Sequence, residues 1–140
     1  MSARTPNLKG EDRLAPLSSR YVSVNDLPWE TGRWKGISSK TLVEDTERGL
    51  RTALIKWEPG ASLPLHEHVD IEQSYVLEGS LCDEEGECRA GEFVWRPIGN
   101  RHRAWSPNGC LLLAVFPKPN VTLEGPMADA AQKKVPEKAS

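Results

Sequence analysis

The chain has 140 residues, a formal net charge of −2 and an apolar fraction of 38% that leaves out 11 glycines. That is one domain's worth of chain, and lysines and arginines scattered through a slightly acidic protein give no electrostatic case for nucleic acid or an anionic membrane surface as partner. No apolar run reaches membrane-span length, no signal-peptide core follows Met1, and three cysteines do not make a disulfide framework, so a soluble cytoplasmic protein is expected.

Residues 1–20 are polar and lack periodicity, which reads as a flexible N-terminal arm. Residues 21–24 alternate briefly, and Pro28, Gly32 and Gly36 mark turns. Residues 37–43 read as extended, 44–49 as a hairpin loop, and 50–57 as a half-buried strand. Beyond the turn at Pro59-Gly60, strand patterns recur at 73–78, 81–82, 87–89, 92–96, 102–105 and 110–116. Residues 121–123 could still pair, and 125–140 read as a flexible tail. No stretch carries a 3.6-residue apolar stripe. The expectation is one all-β domain over residues 21–124, a barrel or sandwich.

The chain has three histidines, and all of them fall in turn-punctuated stretches. Residues i and i+2 of a strand share a face, so His66 and His68 point together into a barrel while Glu67 faces away. After a short bend Glu72 re-enters that face, and His102 arrives from a separate strand behind Pro97 and Gly99. Three imidazoles and a carboxylate suit Fe, Mn, Ni, Cu or Zn rather than Ca or Mg. In a six-coordinate ion they leave two positions open, for a substrate and O2 or for polarising a substrate oxygen. A single histidine is more often a surface or hydrogen-bonded core residue; the joint spacing carries the metal reading.

The pattern Gly60-x5-His66-x-His68-x3-Glu72-x6-Gly79 resembles the first motif of the cupin superfamily, and Gly91-x5-Pro97-x-Gly99-x2-His102 resembles the second. Ser106 stands where the second motif often ends in Asn. The run from Tyr75 to Gly86, the run from Ala90 to Pro97, and Asn108-Gly109-Cys110 look like the ChrR-type cupins. That group includes the zinc-binding domain of certain anti-sigma factors. It is also similar to single-domain dioxygenases that cleave carbon–carbon bonds in β-diketones or hydroxylated aryl ketones. The resemblance implies a cupin double-stranded jelly-roll β-barrel, commonly a homodimer. It also implies one divalent transition metal on His66, His68, Glu72 and His102, with Fe(II) first and Zn, Ni, Mn and Cu as alternatives.

The function this implies is a non-haem metal-dependent dioxygenase acting on a small β-diketone or aryl ketone with O2, its chemistry running through the four metal ligands. Two other readings stand beside it: a non-catalytic metal-binding or sensing cupin, and a metal-dependent isomerase or lyase. The short polar segment before the first strand, where the anti-sigma proteins carry a helical domain, favours the enzyme. Strand parity puts Ser74, Val76 and Ala104 in the substrate pocket. The run from Phe93 to Arg96 offers either Phe93 and Trp95 or Val94 and Arg96 to the interior; Phe93 and Trp95 are expected inside, and Trp29, Trp34, Trp57 and Trp105 in the core or a dimer interface. Arg96, Arg101 and Arg103 flank His102 and could hold an anionic substrate. Cys82 and Cys88, opposite each other on a hairpin, are expected to be reduced.

Overall fold

Alternating and β-branched segments become strands throughout the computed structural model, which describes residues 3–129. In chain order they are β1 (Ala3–Arg4), β2 (Glu30–Thr31), β3 (Ile37–Asp45), β4 (Leu50–Trp57), β5 (Ala61–Glu67), β6 (Glu72–Cys82), β7 (Glu87–Arg89), β8 (Phe93–Arg96), β9 (Arg101–Ser106), β10 (Cys110–Phe116) and β11 (Val121–Thr122). Neighbours run β1-β3-β4-β10-β6-β9-β5-β11, with β2 on β3 and with β7 and β8 on β6. Every pairing is antiparallel. The long β6 belongs to both halves: its first part pairs β10 and β8, its end pairs β7 and touches β9. The sheet therefore curls into two facing layers, the all-β jelly-roll barrel that the sequence led us to expect. Among the described residues no helix is long and apolar enough to cross a membrane.

The core sits between the layers. Ala53 and Trp57 of β4 share a face with Leu112 and Ala114 of β10 and with Val76 of β6, all buried. Trp57, Val76, Leu112 and Ala114 pack in one cluster with Ala61, Leu81 and Ala104 of the other layer. Since burying a valine or leucine fully is worth about 1.5–3 kcal/mol, this seam holds the two layers to each other. Where the layers meet, Ser106 is fully buried; its hydroxyl donates to Ser80 O at 2.7 Å and its carbonyl accepts from Gly60 N at 2.7 Å. The residue that departs from the family pattern is thus a structural clamp.

Residues 3–20 depart from the free arm expected of them. β1 adds to the edge of the sheet beside β3, Thr5 is buried with its hydroxyl on Leu42 O, and Arg20 pairs with Glu11. Asp129 of the expected tail likewise exchanges backbone and side-chain hydrogen bonds with Thr122; the rest of that tail, from residue 130, lies outside the described residues. Cys88 stands opposite Leu81 rather than Cys82, and all three cysteines are free thiols.

Candidate metal centre

Strand β5 carries His66, with His68 just past its end, and a bulge decides which of its residues face inward. Leu63 pairs with Ala104 of β9, yet His66 pairs with His102, so β5 spends one residue more than β9 between the two pairs. Such an insertion breaks the period of two. Leu63 and His66, three apart, thereby both face the barrel interior. Pro64, which cannot donate to a ladder, occupies the bulge, and its carbonyl accepts a hydrogen bond from His66 Nδ1 at 2.8 Å. That bond fixes the tautomer and leaves the lone pair on Nε2. On the facing strand His102 Nδ1 is held by Arg103 O, also at 2.8 Å. The two rings are thus tied back at one nitrogen and free at the other.

All three histidines are buried, and one nitrogen from each lies within 4.8 Å of the others. The Nε2 atoms of His68 and His102 are 2.8 Å apart. Two ligands at right angles on one ion with bonds of about 2.0–2.1 Å would stand about 2.9 Å apart, so the donor spacing fits a single divalent transition metal. The protonation states agree with this. Burial, reinforced by the charge of Arg96, pushes His102 down to about 4, and burial lowers His66 as well. Both rings are neutral at pH 7, the form in which imidazole binds a metal.

Glu72 sits differently. Its Oε1 lies 2.8 Å from His68 Nδ1, a close contact that is not aligned as a directed hydrogen bond, and its Oε2 accepts from Ser74 Oγ at 3.2 Å. It rests against the far side of the His68 ring rather than among the converging nitrogens. Burial would raise its carboxyl, but contact with His68 and the charge of Arg96 more than offset this and hold it below the usual range.

The histidines open onto a cavity of about 230 Å³ lined by His66, Glu72, Ser74, Arg96, His102 and Ala104 on the polar side. Its apolar wall includes Trp34, Ile55, Leu63, Leu112 and Phe116. Ser74 and Ala104 line the cavity, and Val76 is buried in the core beneath rather than on the lining; Arg96 lines it as well, although the parity expected of its strand would have turned it outward. Phe93 and Trp95 are a correction. The pairs Glu72–Arg96 and Ser74–Val94 put Val94 and Arg96 inside, while Phe93 and Trp95 lie on the outer face with Tyr75, at 54%, 55% and 43% exposure. Trp57 is in the core as expected and also borders the cavity, and Trp34 borders it too. A larger depression, about 540 Å³, lies outside between the β6–β7 hairpin and β8 and touches no histidine.

A buried arginine needs a partner, and the acidic turn supplies it. Asp83 forms an ion pair with Arg96, both side chains less than a tenth exposed, while its other oxygen accepts from the backbone of Glu85 and Gly86. Arg101 pairs with Glu67, and Arg103 with Glu84 and Glu124. All three arginines near His102 are engaged.

No curated protein sequence matches the chain. Solved structures share its fold at identities too low to carry function. An acetylacetone dioxygenase from Acinetobacter johnsonii superposes with a TM-score of 0.72 at 17% identity, covering 87% of this chain and 93% of that one. The polyketide cyclase RemF from Streptomyces resistomycificus gives 0.64 at 23%, over 79% and 89%. The anti-sigma ChrR of Rhodobacter sphaeroides, in complex with SigE, gives 0.58 at 23%, over 66% of this chain and 51% of its own. The model of the ChrR cupin-like domain matches residues 18–119, and β2 to β10, the two motifs and the histidine cluster all lie within that span. The chain belongs to the ChrR cupin-like domain family.

Proposed function

We propose that the protein is a metal-dependent oxygenase that cleaves a carbon–carbon bond in a small β-diketone or aryl ketone. Its metal is a divalent transition ion, Fe(II) before Zn, Ni, Mn or Cu, on His66, His68 and His102. The observation that carries this reading is the pair of tied-back, neutral imidazoles converging with His68 at the polar end of an apolar cavity. Glu72 is proposed as the fourth donor, because its carboxylate lines the same cavity and is held deprotonated. When bound, such a metal supplies Lewis acidity toward a substrate oxygen and the redox chemistry of O2.

The chain's own residues do the rest. Pro64 O and Arg103 O fix the rings of His66 and His102, which is how outer-sphere groups set ligand direction. Arg96, paired with Asp83, keeps a positive charge on the wall beside Glu72 and helps to hold that carboxylate ionised. Leu63, Leu112 and Phe116 exclude water and position the substrate body. The acetylacetone dioxygenase among the fold neighbours supports this choice of reaction.

The test is elemental analysis of protein purified without chelators, followed by oxygen uptake with Fe(II) and a panel of β-diketones. Substrate-dependent uptake that disappears in His66→Ala and His102→Ala is the expected result. A metal-loaded protein that consumes no oxygen with any dicarbonyl returns the role to a sensing cupin, the reading that the ChrR neighbour favours. A cytoplasmic homodimer remains part of the proposal, with light scattering on the purified protein as its check.

A further inference from the structure

Arg51 belongs to neither motif, yet it borders the same cavity as the histidines. On β4 it shares the inward parity of Ala53, Ile55 and Trp57. Its Nε donates to Thr41 Oγ1 at 3.0 Å and an Nη to Ser39 Oγ at 2.7 Å, both neutral hydroxyls of β3. Among the described residues no carboxylate comes within ion-pairing distance of it. Glu44 stands opposite in the ladder, but its carboxylate is taken by Arg4 at 3.5 Å. Burial lowers the Arg51 pKa, with the more distant Glu44 and Glu30 pulling the other way. The guanidinium is therefore half-buried, fixed in direction and not neutralised. Arg96 on the same wall has Asp83; Arg51 has nothing equivalent.

The ladders also give its position relative to the metal centre. Arg51 pairs with Phe116, Val115 pairs with Gln73, and Glu72 pairs with Arg96, so Arg51, Phe116, Glu72 and Arg96 lie in one row across the sheet. Arg51 stands two strands from Glu72, about 10 Å along the sheet, with the Phe116 ring between them. One cavity thus offers metal donors at one side, an aromatic and aliphatic middle, and an unpaired cation at the other. Its volume of about 230 Å³ admits a single ring or a short branched chain.

We propose that Arg51 binds a carboxylate of the ligand, so that the substrate is a small amphiphilic monocarboxylate whose other end carries the oxygen donors. The donor end rests on the metal reading above; the carboxylate end does not, and the two are measured separately. Calorimetry on the full chain as purified compares 3-phenylpropionate with the neutral 3-phenylpropionamide, alongside metal content and the quenching of the cavity tryptophans. The acid binds at least about tenfold tighter than the amide, as a charge-assisted pair in a desolvated site requires. Arg51→Gln removes that preference while leaving amide binding and metal content unchanged in protein that still melts cooperatively, and Arg51→Lys keeps part of it. An acid that binds no better than its amide overturns the proposal, as does a preference that survives Arg51→Gln. A protein that purifies without metal but still prefers the acid through Arg51 refutes the metal reading and upholds this one.

Discussion

Acidification of the metal-free protein tests the electrostatics of the site most directly. His102 has its folded-state pKa pushed from 6.5 to about 4 by burial and by Arg96. Its folded form therefore binds a proton less readily than its unfolded form. The stability tied to this group is complete above pH 6.5, declines as pH falls toward 4, and levels off below that. The difference of about 2.5 units, at about 1.4 kcal/mol each, comes to roughly 3 kcal/mol. His66 is lowered in the same direction and adds to the loss. The assay is urea denaturation of chelator-treated protein between pH 7 and 4, wild type against His102→Gln, with the slope of each transition checked for constancy. Wild type should lose roughly 3 kcal/mol more than the variant over that window. Glu72 and Asp83, whose carboxyls are lowered, begin to lose their stability only as pH falls through about 4.5 and 3.8, and they do so in wild type and variant alike. Parallel curves for the two proteins would refute the reasoning, because they would mean that His102 is solvated or already charged.

Three further outcomes are expected. A Cβ at Gly79 would come 2.0 Å from Gly109 O with φ at +72, so Gly79→Ala should cost about 2–5 kcal/mol, the left-handed penalty plus a backbone clash; Gly60→Ala, with open space around it, should cost only about 1–2 in the same urea titration. Asp83→Asn strands Arg96 in the wall and should destabilise by about 3–5 kcal/mol, while the double change Asp83→Leu with Arg96→Met recovers most of that on thermal melting. Glu72→Gln should weaken metal binding at least about tenfold by competition with a chelating dye; unchanged affinity would exclude Glu72 both as a ligand and as the carboxylate that orients His68.

The donor set was legible because its spacing is a backbone property: period-two parity brings His66 and His68 to one face, and the turns before them need glycine. The rest depended on contacts that parity cannot carry. In β8, apolar character argued for Phe93 and Trp95 inside, yet the register to Glu72 put Arg96 there. That is tolerable only because Asp83, 13 residues earlier, meets its charge. In the sequence Asp83 looked like a turn residue and nothing more. Leu63 reached the lining through a bulge at Pro64 that alternation alone does not foresee. The N-terminal segment looked featureless because an edge strand of two residues leaves no periodic trace. Arg51 could have been placed inward from the parity of Ile55 and Trp57, but a charge in a half-buried strand reads first as its solvent face.

Two arginines on one wall, treated oppositely by the fold, bear on the choice between enzyme and sensor. The Arg96–Asp83 pair is closed: it keeps charge on the wall, which helps to hold His102 neutral, and it needs nothing from outside. Arg51 is open, held by two hydroxyls and half-buried, with Glu44 and Glu30 acting on it only from beyond ion-pairing distance. Burying a cation in that state costs free energy in the empty protein, and a ligand that brings an anion removes the cost. A structural metal site is closed by its protein ligands and has no use for an apolar cavity that ends in such a cation. The feature that most favours a small-molecule substrate over a purely structural metal is therefore a residue that lies outside both motifs.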